Sequence, residues 1–150
     1  MKWKLLAPAA MLFAVAAPAA DDAGRGSING EWQLEAGAGK GSGASWILES
    51  KNDEIHVTQL QNGQKMADFD CNTLGRECEA KDSGRHAKVS FYFNGSKLVE
   101  LETRGSEVLK RRFSVGDQGD LMEVELIPVV PEGKPAVERF KRVPVSTAGK

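Results

Sequence analysis

The chain has 150 residues, with 20 basic and 21 acidic side chains and a formal charge of −1. This length allows one domain with its own core and excludes two of ordinary size. A charge so close to zero gives no general attraction for phosphates, which argues against a nucleic-acid partner.

The opening segment, "MKWKLLAPAAMLFAVAAPAAD", carries Lys2 and Lys4 and then an uncharged apolar run from Leu5 to Ala17. Ala17-Pro18-Ala19 places small residues before a cleavage site, completing the three-part pattern of a secretory signal peptide. The run is shorter than the ~20 apolar residues of a spanning helix. No cysteine follows it to carry a lipid, so no membrane anchor is expected. Residues 1–19 are therefore read as a leader, with a cut after Ala20 as the alternative, and the protein as secreted or periplasmic. Loss of Lys2 and Lys4 leaves 18 basic against 21 acidic residues, a formal charge of −3.

Asp21 to Ser27, "DDAGRGS", is polar and glycine-rich and is expected to be a loose arm. Strand patterns follow. Trp32 and Leu34 share a face in Ile28 to Glu35, Trp46 and Leu48 in "ASWILES", and Ile55 and Val57 in "DEIHVTQL". "HAKVSFYF" alternates most clearly, with Ala87, Val89, Phe91 and Phe93 on one side. "KLVELET", "EVLKRRFSV", "LMEVELIPV" and "KPAVERFKRV" continue the style. Asn62-Gly63 and Asn94-Gly95 supply hairpin turns between strand candidates, and Gly105, Asp117 to Asp120 and Pro131-Glu132-Gly133 supply others. The expected fold is all-β: an antiparallel up-and-down meander closed into a small barrel of 8–10 strands over residues 28–143. Closure hides the edges that an open meander would expose. The tail, residues 144–150, is expected to be disordered.

Most chemical motifs fail on inspection. In "GAGKGSGAS", Gly37 to Ser45, Lys40 is followed by Gly41 where a phosphate loop needs Ser or Thr. Gly39-x-Gly41-x-x-Ala44 leads into a strand, whereas a dinucleotide site needs a helix N-terminus. The segment is read as a flexible loop over one mouth of the barrel. Cys71 and Cys78 are spaced C-x6-C, not the C-x2-C of zinc ribbons or redox sites. Export favours a disulfide between them, closing a hairpin through Asn72 to Gly75, with a free or intermolecular pair as the alternative. His56 and His86 lie in different strands and are read as surface residues, so no metal site is expected. The pairs Asp68 and Asp70, Glu100 and Glu102, and Glu123 and Glu125 are read as solvated strand faces. Lys110-Arg111-Arg112 is read likewise, with Arg111 partly inward. There is no G-x-S-x-G elbow. The chain is read as non-enzymatic and without a cofactor.

Gly30-Glu31-Trp32, at the start of the meander, resembles the G-x-W of lipocalins and related calycin-type barrels. The whole mature chain is similar to the small exported lipocalin-like proteins of bacteria, though it lacks a T-D-Y-type second motif. The resemblance implies that Trp32 plugs the closed end of the barrel and that Arg142, or next Arg139, packs across its indole. A barrel of this size holds one apolar ligand, here lined by Trp46, Leu48, Val89, Phe91 and Phe113. The expected function is therefore an exported, non-catalytic binding protein for a small apolar ligand. The alternative is an exported protein-interaction module, such as a hydrolase inhibitor, working through its outer surface.

Overall fold

The computed structural model describes residues 24–35, 43–82 and 85–145. Among them run ten strands: β1 (Gly30–Leu34), β2 (Ala44–Lys51), β3 (Glu54–Gln61), β4 (Gln64–Asn72), β5 (Cys78–Asp82), β6 (Arg85–Asn94), β7 (Lys97–Arg104), β8 (Glu107–Val115), β9 (Leu121–Val130) and β10 (Ala136–Arg142). Each strand pairs antiparallel with its neighbours in sequence, and β1 pairs with β10, so the meander closes into a barrel. The expected leader, the loop 36–42 and residues 146–150 lie outside the described residues.

Turn chemistry sets the registers. At the β3–β4 hairpin Asn62 and Gly63 both take positive φ, 52° and 77°. That is the backbone a two-residue primed turn demands, and Asn-Gly supplies it at low cost. The alternation read from the sequence follows: Trp46 and Leu48, Ile55 and Val57, and Val89 and Phe91 are all buried in one core.

One feature of the fold differs from the sequence reading. Gly26–Ile28 is a 3-10 turn, not the end of a loose arm, and Ile28 is fully buried rather than the first residue of a strand. The turn packs against β2 and β8, contacts too distant in sequence for local composition to reveal. The expected disulfide lies at the seam between β4 and β5, where Ala67 opposite Asp82 is the single registered pair. The same register sets Cys71 opposite Cys78, and a disulfide joins them with their Cα atoms 5.8 Å apart. A loop of this length stabilises the fold by about 2–3 kcal/mol in the chain-entropy model. The staple thus sits where ladder hydrogen bonds are sparse.

Candidate functional site

The two ends of the barrel are built from different chemistry. At one end the 3-10 turn lies across the opening. Trp32 is fully buried beneath it and its indole N–H donates to the Ile28 carbonyl at 2.8 Å. Arg142 stands opposite Trp32 in the β1–β10 register, its guanidinium carbon 4.2 Å from the indole centroid. The guanidinium donates to the carbonyls of Ser27 and Asn29 at 2.8 and 2.5 Å, and through Nε to Gly119 at 2.7 Å. Gly30 takes φ 134°, and a Cβ there would come within 2.5 Å of Arg142 Nη1. The Gly-x-Trp spacing therefore has a physical cause: the glycine clears the space through which the arginine reaches the carbonyls of the turn. Arg139, the second candidate partner, instead faces outward beside Glu123 at 3.4 Å.

The five side chains read as ligand-lining lie deep in the interior. Leu48, Val89, Phe91 and Phe113 are almost wholly buried, and Trp46 is 8% exposed. They belong to one packed cluster, in which Trp46 and Phe113 meet edge to face at 5.3 Å.

Above this cluster the interior turns charged, which corrects one reading of the sequence. Glu100 and Glu102 are not on a solvated face: Glu100 is 1% exposed and Glu102 8%. The β7–β8 register puts Arg111 directly opposite Glu100. One Arg111 nitrogen donates to Glu100 Oε1 at 3.1 Å and to Glu102 Oε2 at 3.2 Å. Arg104 Nε donates to the other Glu102 oxygen at 2.8 Å. Glu102 is thereby satisfied on both oxygens. Glu100 Oε2 is buried and has no hydrogen-bond partner. The Arg111 guanidinium also lies 5.7 Å from the Trp46 ring centroid.

The two carboxyls titrate in opposite directions. Burial pushes Glu100 above its ordinary value, against the opposing pull of Arg111. Burial works on Glu102 in the same sense, but the Arg104 hydrogen bond and the charges of Arg111 and Arg104 outweigh it and hold Glu102 low. Burial also raises Glu138 on β10, which feels Arg111 as its opposing cation. The sequence contained a usable signal for this cluster. The Gly105 turn pairs Arg104 with Glu107, and counting back along that hairpin brings Glu100 to Arg111.

A recess of about 230 Å³ opens at this end, lined by Glu102, Arg104, Val108, Leu109, Pro128 and Val130 among others. A larger groove of about 680 Å³ runs outside the barrel past Asn52, Glu54, His56 and Asp70. The smaller recess is the better candidate, because its walls are mostly apolar and it leads inward to the charged cluster. On the outer face His56 sits between two carboxylates, Nδ1 at 2.6 Å from Asp70 and Nε2 at 2.7 Å from Asp68. The Asp70 hydrogen bond, more than any other influence, holds the imidazole above its ordinary value. Among the described residues no cluster of His, Cys, Asp and Glu is arranged to hold a metal ion.

No protein-family model matches the sequence, and no curated protein does. Solved structures match over most of the chain. The REP1-NXSQ fatty acid transporter superposes with a TM-score of 0.64 at 16% identity, covering 80% of this chain and 98% of its own. The fold is a ten-stranded lipocalin-like barrel. A Schistosoma mansoni fatty acid binding protein, solved with arachidonic acid, is similar at a TM-score of 0.62 and 16% identity, over 81% of this chain and 99% of its own. A secretory abundant heat soluble protein from Ramazzottius varieornatus gives 0.62 at 14% identity, over 78% and 96%. At these identities the likeness is one of fold.

Proposed function

We propose that the protein is an exported, non-catalytic carrier of a small apolar ligand, a lipocalin-like bacterial protein of residues 28–143 behind a cleaved leader of residues 1–19. The observation that supports this most directly is the recess at the charged end, whose mostly apolar walls reach Glu102. Two of the similar barrels are named as a fatty acid transporter and a fatty acid binding protein, which supports the same reading. The ligand's chain would rest on Trp46, Leu48, Val89, Phe91 and Phe113, with Trp32 and Arg142 plugging the far end. About 230 Å³ is below the usual 300–1,000 Å³ of a small-molecule site. The expected ligand is therefore short or single-chained, or seated after the core side chains shift.

The protein-interaction reading needs an outer surface for a partner, best marked by exposed aromatic rings. The exposed large apolar side chains among the described residues are Leu74, Leu121, Val129, Val130, Val137 and Val145, all of them aliphatic. The carrier reading is the better supported. Titration of the mature protein with Nile red, followed by displacement with single-chain lipids and retinoids, tests it. Saturable binding near one ligand per chain is expected. A complete lack of binding across the panel would return the choice to the interaction module.

A further inference from the structure

The described inward side chains of the charged half set three carboxylates at least partly out of water, Glu100, Glu102 and Glu138, against two guanidiniums, Arg104 and Arg111, and the exposed Glu107 adds a further negative charge at the recess. Arg111 is shared: it bonds Glu100 and Glu102, and it is the cation that Glu138 feels. Arg104 is committed to Glu102 at 2.8 Å. Both oxygens of Glu102 are thus paired, while Glu100 Oε2 is buried with no hydrogen-bond partner. A buried carboxylate oxygen without a donor is expensive to keep, and such a group calls for a bound partner or a functional role to explain it. Glu102 lines the recess, and Glu100 lies two residues deeper on the same face of β7.

We propose that the recess binds a single-chain ligand through a cationic amine head group, which supplies the third positive charge beside Glu100 and Glu138. The inference rests on the carrier reading and names the ligand class for that site. An ammonium provides three donors and no acceptor, which is what Glu100 Oε2 lacks. A carboxylate head would add a fourth negative charge to the cluster. A charge held out of water needs an opposite charge with good hydrogen bonds to be tolerated. The raised titration of Glu100 and Glu138 fits the same picture, since the first is buried and the second half-buried, each with only a share of one cation. Amine binding would favour ionised Glu100, so affinity should weaken as pH falls through the raised Glu100 range. The other groups facing that carboxyl are Glu102 and Arg104 on β7, Arg111 on β8 and, through Arg111, Glu138 on β10.

The test compares four probes of equal chain length below their micelle concentrations: dodecylamine, dodecanol, methyl dodecanoate and dodecanoate. Binding of the amine at least tenfold tighter than the other three is expected. Glu100→Gln should remove that preference while leaving dodecanol binding within about twofold. Should this variant fail to fold, as judged by its melting curve, Glu138→Gln is read in its place and should cut the preference at least threefold. Equal binding of amine and alcohol, or dodecanoate binding as tightly as the amine, would overturn the inference and leave the carrier reading standing. An amine preference that survives in the variant would mark adsorption to the acidic exterior and would also overturn it. Failure of all four probes to bind would remove the carrier reading itself.

Discussion

The two halves of this barrel bury their interiors by opposite means. The closed half is a hydrocarbon core with arginines at its rim: Trp32, Phe113 and Phe140 are fully buried, and each described donor of Arg142 meets a carbonyl oxygen or the indole face. The Arg142 donors are satisfied by neutral backbone dipoles, while Arg25 lies 5.1 Å over the Phe93 ring and leaves its Nε without a partner. The open half buries carboxylates and guanidiniums against each other and leaves one acceptor unpaired. Burial of apolar surface stabilises at about 25 cal/mol per Å² without further conditions. A buried ionic network is at best neutral unless every member is paired. The closed half is therefore the part that holds the fold, and the open half is where stability is given up for something else.

The largest test of this division is Trp32→Ala. Removing a buried indole costs about 3–5 kcal/mol, and here it also withdraws the ring over which Arg142 is held. Against a typical total of about 5–15 kcal/mol, the melting temperature should fall by many degrees. A melt superimposable on that of the parent protein would show that the closed end is not what holds the barrel.

How much of this division the sequence displays depends on how local its causes are. The closed end is legible, because Gly30-Glu31-Trp32 and a late arginine carry the geometry in their spacing. The strand faces of β2, β3 and β6 are legible too, since period-two alternation is a local signal. The disulfide follows from two cysteines flanking a turn. Glu100 and Glu102 mislead, because Val99 and Leu101 alternate with them and present the pattern of an apolar face with a wet reverse. What places the glutamates inside is their partner across the β7–β8 hairpin, which alternation within a single strand does not display. The same reason hides Ile28, whose burial depends on β2 and β8. Where the loop 36–42 lies relative to the recess is outside the described residues.

A middle-sized test reads the open half through pH. Burial raises Glu100 in the folded protein, so its contribution favours the fold at low pH and is lost as pH rises through its raised value. Glu102 is held low, so its contribution is present above the unfolded value and lost on acidification, in wild type and variant alike. Glu100→Gln removes only the first of these. The variant should therefore match or trail the parent near pH 4 and gain on it steadily as pH rises. The expected gain is about 1–3 kcal/mol at alkaline pH, the usual penalty of an unsatisfied buried polar group. Parallel stability curves for the two proteins across that range would mean that Glu100 is already fully compensated.

The smallest effect is expected outside the barrel, where charges resemble those of the open half but water is near. His56 lies between Asp68 and Asp70 at distances as short as those inside, yet its side chain is 36% exposed and that of Asp70 is 84% exposed. The Asp70 hydrogen bond is the main cause of its raised titration, with burial opposing and the charges of both aspartates assisting. A raised histidine stabilises the fold fully below its unfolded value of 6.5 and loses that contribution as pH climbs through the folded one. Exposed pairs contribute only about 0–1 kcal/mol and are screened by salt. His56→Gln should therefore cost at most about 1 kcal/mol at pH 5.5 and nothing measurable at pH 8.5. Addition of 0.5 M salt should shrink the difference at pH 5.5. A loss that is large, or equal at both pH values, would mean that His56 acts through packing against β4 rather than through charge, and the contrast drawn between wet and buried charges would fail at this site.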